Sequence, residues 1–451
     1  MDKLITILIL CLISGRGITS AREAKKWTLQ DCINHAVENN IGLKRQVLQT
    51  ESGETDYLKA RMNLFPSVNI GSDLQVGFGR SIDPVTNLIT FEQNLSNSYS
   101  LSSSVTIFSG FTLLNTVSAN RFMLKAGMET EKVIRNTIVV NILGAYYQVL
   151  YAKGLEDAAK MQLDLTEKQL FRITRMVETG KEALSKKYEM ESRASEDRLS
   201  YTISRNNTNQ AVTSLKQLLQ LEPGTEFEIL IPDLDNEFIT DTRYDIDSVY
   251  NIASQALPRL KAINYELMAS KKQLAAARGN LAPKLSAGGV AYTGYYKLIS
   301  EGVPEQDSFS RQLKNNNSQA IYFSLNIPIF NNYATGRNIR LAKIRKNDAE
   351  LKLELEKNSL YSDIENACFD FNRGKDEYSA AIENLEFNKK SFDAVEKKFE
   401  AGLVDVTDYS AAKTNLFRAE TEAIRTKLQL LIRKLTIHFY STGEYEGIIN
   451  T

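Results

Sequence analysis

The heptapeptide ARMNLFP occupies residues 60–66, and a close copy, ARGNLAP, follows 217 positions later at residues 277–283. Five of the seven residues are identical. Two further matches keep nearly the same spacing: Ile107-Phe108 with Ile329-Phe330, and Glu178-Thr179-Gly180 with Glu400-Ala401-Gly402. Self-similarity at a fixed spacing indicates repeated structural units. We therefore predict a first repeat over 22–222, a linker over 223–244 and a second repeat over 245–451.

Each repeat contains two segments in which apolar and polar residues alternate. We predict strands at about 66–79 and 97–109 in the first repeat, and at about 283–297 and 318–330 in the second. The second segment of the first repeat shows the pattern clearly, because serine or threonine occupies every other position from Ser98 to Thr106. Such strands suit a membrane barrel with a wet interior, although a soluble, half-buried sheet would show the same alternation.

Two proline-free stretches, 112–177 and 334–399, predict unusually long helices. In the second stretch, apolar residues recur at steps of three, four and seven, which is typical of a coiled-coil seam. At ~1.5 Å per residue, each helix would extend about 100 Å. Shorter helices are predicted at 29–43 and 246–260. Four strands are too few to close a membrane barrel, so the chain must oligomerise, and a trimer would supply twelve strands.

Composition excludes several functions. Lys and Arg total 55, as do Asp and Glu, so no basic field favours nucleic acid. Two His and three Cys disfavour a metal site or a disulfide scaffold, and no catalytic motif is present. We therefore predict no enzyme activity and no catalytic, cofactor or metal residues. Cys32 and Cys368 both lie in apolar helical patterns, and we predict buried, unpaired thiols rather than a disulfide.

The chain begins with features of a secretory signal peptide, predicted over 1–21. Its apolar run, residues 4–13, is about ten residues long, whereas a membrane-spanning helix needs roughly 20. No later stretch is apolar enough to span a bilayer as a helix. Any later membrane insertion is therefore predicted to use strands or an amphipathic face.

The chain resembles the TolC-type outer membrane efflux proteins over essentially its whole mature length. The resemblance rests on the opening WTLQDCINHA at 27–36, the two Asn-Leu-x-Pro strand entries, the PIFNN exit at 328–332 and the paired glycine turns. It implies a mainly helical homotrimer in the outer membrane of a Gram-negative bacterium. Twelve strands, four per chain, would form a β-barrel in contact with outer-membrane lipid, continuous with a periplasmic barrel of coiled-coil helices.

The resemblance also implies two partners and four contact residues. Family members dock onto a periplasmic adaptor, or membrane fusion protein, that is fed by an inner-membrane transporter of the RND or ABC type. The contacts would lie at the tips of the helical hairpins, near 180–184 and 402–406, at Gly180, Leu184, Gly402 and Val406. Glycine permits the left-handed conformation that ends a helix, and Ser185 or Thr407 could begin the next one.

An aspartate six residues after the tip glycine often closes the resting aperture in this family. Asp408 occupies that position in the second repeat, whereas Lys186 occupies it in the first. The resemblance therefore implies an aperture built from Asp408, with Lys186 as a neighbouring cation that could help to hold it closed. Solvated surface residues would show the same pattern.

We expect an exit duct for small amphiphilic compounds in a tripartite efflux system. A duct for type I protein secretion would need the same tunnel. From another class, a periplasmic coiled-coil scaffold or adaptor would explain the helices but not the alternating strands.

Overall fold

A computed structural model describes residues 26–82, 87, 89–91, 93–231, 244–299 and 307–443. The predicted signal peptide and most of the predicted linker lie outside these residues. The helices within them are α1 (Leu29–Asn39), α2 (Ile41–Met62), α3 (Thr112–Glu178), α4 (Leu184–Leu218), α5 (Ile246–Ala256), α6 (Pro258–Gly279), α7 (Phe309–Asn315), α8 (Ala334–Glu400) and α9 (Val406–Thr442). The strands are β1 (Lys26–Trp27), β2 (Ser67–Gly77), β3 (Ser81–Ile82), β4 (Ile89–Thr90), β5 (Gln93–Phe108), β6 (Glu228–Ile229), β7 (Lys284–Ile299) and β8 (Ser318–Asn326).

The chain divides into two compact units. One, the helical unit, comprises residues 1–44, 132–257 and 359–451. The other, the strand unit, comprises residues 45–131 and 258–358. The long helices α3 and α8 contribute residues to both units.

An antiparallel sheet with the order β2-β5-β7-β8 dominates the strand unit. The central pair, β5 and β7, joins the first repeat to the second. The strand predicted at 97–109 begins earlier, at Gln93, because its first residues pair with the end of β7. The strand predicted at 318–330 ends at Asn326. Pro328 follows two residues later and has no N–H to continue the ladder.

The register separates the side chains of this sheet into two faces. One face, the apolar face, carries most of the large aliphatic and aromatic residues, and they are exposed: Ile70 is 82% exposed, Ile321 83% and Phe323 72%. The opposite, polar face carries the serine and threonine row of β5 from Ser96 to Thr106. On β7, Gly288, Val290, Tyr292 and Tyr296 belong to the polar face, and the odd-numbered residues belong to the apolar one.

The helices of the strand unit pack side by side in the same order as the strands. In the chain, α2 precedes β2, α3 follows β5, α6 precedes β7 and α8 follows β8. Thr50 of α2 faces Gly127 of α3. Phe122 of α3 stacks on Tyr265 of α6, with 6.3 Å between ring centroids. An ion pair between Arg259 and Glu356 joins α6 to α8. The start of α3, which follows β5, is also held to α6 by a hydrogen bond from Thr112 Oγ1 to the Ala276 carbonyl (3.1 Å).

Gly110 and Gly279 let two chain segments approach closely where β5 turns into α3 and α6 ends. Gly110 has a left-handed φ of 61°. A Cβ on Gly279 would lie 2.4 Å from the Gly110 carbonyl oxygen and 2.5 Å from Thr112 Oγ1. No L side chain fits at that distance without moving the backbone.

Gly279→Ala is therefore expected to destabilise the protein by about 1 to 3 kcal/mol, the usual cost of overpacking a rigid contact. The measurement is the free energy of unfolding in denaturant, compared with that of Gly53→Ala. Nothing lies within 4 Å of a Cβ on Gly53, and its helical position predicts a neutral or slightly favourable effect. Equal stability of the two variants would contradict the steric argument.

The core of the helical unit is built from the helices of the first repeat, the short strand β6 and the last helix. Side chains from α1, α3, α4, β6 and α9 form one cluster, in which Ile142, Val149 and Leu215 are fully buried. The short parallel pair β1·β6 borders it. The Tyr146 hydroxyl donates to the Leu230 carbonyl (2.5 Å), which fixes the chain after β6 against α3.

The helices predicted at 29–43 and 246–260 are both interrupted. Asn40 ends α1, and its side-chain oxygen accepts a hydrogen bond from Leu43 N (3.0 Å), so it also caps α2. In the second repeat, Leu257 adopts an extended conformation before Pro258. Proline disfavours a helical conformation at the residue before it and suits the first position of a helix. Different residues thus produce the same break in the two repeats.

The long helices agree with the predicted ranges, and their seams are largely buried. Leu360, Ile364, Cys368, Phe371 and Phe392 of the α8 seam lie in the interior of the helical unit. Ile382, which continues the same spacing four residues after Tyr378, is 41% exposed. The three-four spacing therefore identified the packed side of α8, with local exceptions.

Cys32 and Cys368 are both buried and unpaired, as predicted. Burial raises the pKa of the Cys32 thiol from 9.0 to about 12, with a smaller contribution from Asp31. Burial also raises the pKa of Cys368. The folded state therefore holds these thiol protons more tightly than the unfolded chain does, and the stability associated with Cys32 is lost as pH rises from 9 to about 12.

Cys32 is expected to resist alkylation by iodoacetamide at pH 9. An unperturbed thiol is half ionised at that pH, whereas Cys32 would have about 500-fold less thiolate. Mass spectrometry after timed labelling measures the rate, with Leu199→Cys as an exposed control on α4 and urea-unfolded protein as the upper limit. Labelling of Cys32 as fast as that of the control would contradict its burial.

Candidate functional site

Two helical turns in the helical unit carry the predicted contact residues. Gly180 follows α3 with φ 72°, and Gly402 follows α8 with φ 74°. Both turns have the same hydrogen bonds: Lys181 N donates to Met176 O (2.8 Å) and Leu403 N to Lys398 O (2.9 Å), each closing the helix end. The pattern is a Schellman motif, which requires the left-handed residue that glycine supplies.

The next helix begins earlier than predicted in both turns. We predicted that Ser185 or Thr407 could begin it, but the caps are Ala183 and Asp405. Asp405 accepts a hydrogen bond from Asp408 N (2.9 Å), and its charge suits the positive end of the helix. Ala183 offers no side-chain cap to α4.

The structure packs the two turns against each other. The Arg172 guanidinium on α3 donates to the Glu400 carbonyl at the end of α8 (2.7 Å). The Thr407 hydroxyl donates to the Glu189 carboxylate (3.3 Å) and joins α9 to α4. Between them lies a small apolar core of Ile173, Met190 and Val406, with Leu170, Val177 and Phe399 at its border.

Val406, predicted as an adaptor contact, is buried in this structure. Its side chain is 2% exposed and packs on Ile173 and Met190. The apolar surface of the second turn is provided by Leu403, which is 74% exposed. In the first turn, Leu184 is 51% exposed, and both glycines are at the surface.

A groove of about 520 Å³ runs between the turns. It is lined by residues from both repeats, including Met176, Glu182, Leu403 and the two residues predicted at the aperture, Lys186 and Asp408. The structure thus brings Lys186 and Asp408 to one groove, although they lie 222 positions apart. The groove combines apolar walls with charges of both signs.

A buried polar cluster that the sequence analysis missed joins three helices of the helical unit. Lys413 Nζ on α9 donates to Asp197 Oδ2 on α4 (2.7 Å) and to Thr166 Oγ1 on α3. The Thr166 hydroxyl donates to the same Asp197 oxygen (2.5 Å), and Gln162 Nε2 donates to the other one (3.1 Å). The side chains of Lys413 and Asp197 are 8% and 14% exposed.

Burial lowers the pKa of Lys413, and the Asp197 carboxylate acts in the opposite direction. A charge in this position is tolerated because the lysine bonds the Asp197 carboxylate directly, and the Thr166 hydroxyl and the Gln162 amide nitrogen also donate to that carboxylate. The sequence did contain a signal: Val406, Tyr409 and Lys413 follow one another at steps of three and four, which places the lysine on the packed side of α9.

Among the described residues, no helix is both long and apolar enough to cross a membrane. The same residues contain no group of His, Cys, Asp or Glu side chains arranged to hold a metal ion.

Comparison with known proteins shows the family. The model of the outer membrane efflux protein family matches residues 32–220 and 249–441, one match in each repeat. The outer membrane protein TolC of Escherichia coli is 21% identical over 441 residues, which cover 97% of this chain and 86% of that protein. The toxin and drug export protein A of Aggregatibacter actinomycetemcomitans is 18% identical over 92% of this chain and 86% of its own length.

Solved outer membrane channels share the fold. The CmeC outer membrane channel of Campylobacter jejuni superposes with a TM-score of 0.79 at 16% identity, covering 94% of this chain and 88% of CmeC. CusC gives a TM-score of 0.78 at 15% identity over 92% of each chain. At these identities the likeness shows the fold alone.

The chain belongs to the outer membrane efflux protein family. It is a TolC-like outer membrane channel protein with a periplasmic extension, and its family is one of channels rather than of enzymes.

Proposed function

We propose that three copies of this chain form the exit duct of a tripartite efflux system that passes small amphiphilic compounds out of the cell. The observation that carries the proposal is the sheet, whose exposed apolar face and hydroxyl-rich polar face suit lipid outside and water inside. Its order, β2-β5-β7-β8, leaves the outer edges of β2 and β8 without a strand partner among the described residues. Pairing β8 with β2 of another copy would remove both edges.

The turns at Gly180 and Gly402 are the proposed docking site for a periplasmic adaptor. The support is the groove between them, which has the exposed Leu403 and charged side chains in its wall, together with the exposed Leu184 in the first turn. An inner-membrane transporter of the RND or ABC type would deliver cargo through that adaptor. The choice of small compounds is supported by the word drug in the name of the Aggregatibacter relative, the toxin and drug export protein A.

Deletion of the gene tests the function. We expect increased sensitivity to dyes, detergents and hydrophobic antibiotics, together with intracellular accumulation of a fluorescent substrate, both restored by the intact gene. Unchanged sensitivity accompanied by loss of a secreted protein would instead support the type I secretion duct.

Photo-crosslinking in living cells tests the docking site. A photoreactive residue at Leu184 or Leu403 is expected to capture a periplasmic adaptor, whereas the same residue at Leu199, exposed on α4, is expected to capture none. Equal capture from all three positions, or capture from Leu199 alone, would place the docking surface elsewhere.

A further inference from the structure

The polar face of the sheet is almost free of charge. Across β2, β5, β7 and β8, the register assigns to this face mainly serine, asparagine, glycine and tyrosine. Its charged residues, within these four described strands, are Asp73 on β2 and Lys284 at the start of β7. Hydroxyls and amides bind water but do not distinguish cations from anions over a distance, so within these strands the two side chains carry the full charges of the face.

Asp73 and Lys284 lie far apart along the length of the strands. Asp73 lies in one row with Ser98 and Gly294, whereas Lys284 pairs with Asn326 at the other end of β7. The ten residues that separate Gly294 from Lys284 along β7 correspond to about 34 Å of strand. This separation is several times the ~8 Å Debye length at physiological salt, so Lys284 does not neutralise the field of Asp73.

The surroundings of Asp73 leave its carboxylate open. It is exposed, and its neighbours on the polar face are small or flexible: Gly71 and Gln75 along β2, and Ser98 across the pair. Within the described part of the chain, no lysine or arginine forms an ion pair with it. A solute passing along this face would therefore meet the carboxylate directly.

The geometry of the lumen, and with it this inference, rests on the proposed function, in which three chains close one barrel. Twelve strands about 4.8 Å apart and tilted by about 40° give a circumference of about 75 Å and a backbone diameter of about 24 Å. Side chains on the polar face then point inward, and three Asp73 carboxylates lie about 9 Å from the axis. That radius is close to the Debye length, so the field of the ring reaches the centre of the water-filled path.

We propose that Asp73 is the charge-selectivity residue of the barrel: three copies form a ring that concentrates cationic solutes in the lumen and retards anionic ones. The ring is independent of Asp408, which belongs to the helical unit. Neutral and cationic amphiphiles are the cargo chemistry that this lumen favours.

Reversal potentials of the purified full-length protein in planar lipid bilayers test the proposal, with a salt gradient between about 10 and 30 mM KCl, where the Debye length is about 20 to 30 Å. Wild-type channels are expected to prefer K⁺ over Cl⁻. Asp73→Asn is expected to lower the permeability ratio by about two- to fourfold at low salt, and the difference is expected to disappear near 1 M, where screening acts within about 3 Å.

Moving the charge along the same face provides the matched control. Gln75 points to the same side as Asp73. Adding Gln75→Asp to the Asp73→Asn variant is therefore expected to restore the preference for K⁺. Restoration would exclude a mere loss of barrel structure as the cause of the first result.

Three outcomes distinguish a wrong role for Asp73 from a wrong function for the whole protein. An unchanged ratio in Asp73→Asn channels would overturn the assignment, as would a ratio that falls only in Asp408→Asn. Wild-type protein that forms no channels at all would instead refute the proposed function on which the assignment depends.

Discussion

Lys413→Met is expected to lower the free energy of unfolding by about 3 to 5 kcal/mol, because it leaves the Asp197 carboxylate buried without its cation. The loss should also loosen α9 from α3 and α4, since the lysine bonds to residues of both. Denaturant unfolding followed by circular dichroism, at one protein concentration and pH 7, measures the change.

An exposed ion pair between α3 and α4 supplies the control. Arg198 follows Asp197 in the chain and pairs with Glu167 on α3 (2.7 Å), with both side chains largely exposed. Arg198→Met is expected to cost at most about 1 kcal/mol. Lys413→Met combined with Asp197→Leu should recover most of the lost stability, because no charge remains buried. A double variant as unstable as Lys413→Met alone would show that the lysine acts through packing rather than through charge.

Ile70→Lys is expected to prevent stable insertion of the protein into the outer membrane. Ile70 is 82% exposed on the apolar face of β2, and a lysine facing lipid near the bilayer midplane costs about 2 to 4 kcal/mol per copy. Membrane fractionation and the fraction of heat-modifiable oligomer on gels measure the effect.

Asn69→Lys is the matched control, because Asn69 precedes Ile70 and lies on the polar face. The same charge there is expected to leave insertion intact. If both lysines were tolerated, or if Asn69→Lys alone blocked insertion, the assignment of the two faces to lipid and water would be wrong.

Periodicity was sufficient to predict the main elements. Both long helices, α3 and α8, match the predicted ranges to within one residue, because sixty or more residues without proline carry a strong pattern. The two-residue period predicted the four main strands. A less local feature was missed: α7 lies between two predicted strands, where no helix was predicted, and its Gln312 side chain bonds the backbone of Tyr296 near the end of β7.

The candidate site was predicted less well than the fold. The paired glycines identified both turns, since the left-handed conformation is a local requirement. The burial of Val406 depends on Ile173 and Met190, which approach it from the other repeat, and no local pattern encodes that contact. The helix starts were predicted at Ser185 and Thr407 because their side chains suit a cap, whereas the observed caps are Ala183, which has no capping side chain, and Asp405.

The pairing of β5 with β7 joins the two repeats into one sheet, and it has a consequence for symmetry. A chain with a single repeat would need six identical copies to build the proposed twelve-stranded barrel. Any charge placed at its helical turn would then appear six times. Fusion of two repeats reduces this sixfold symmetry to threefold and frees alternate tips to diverge. Lys186 and Asp408 occupy equivalent positions with opposite charges, a combination that only the fused chain can place alternately around the ring.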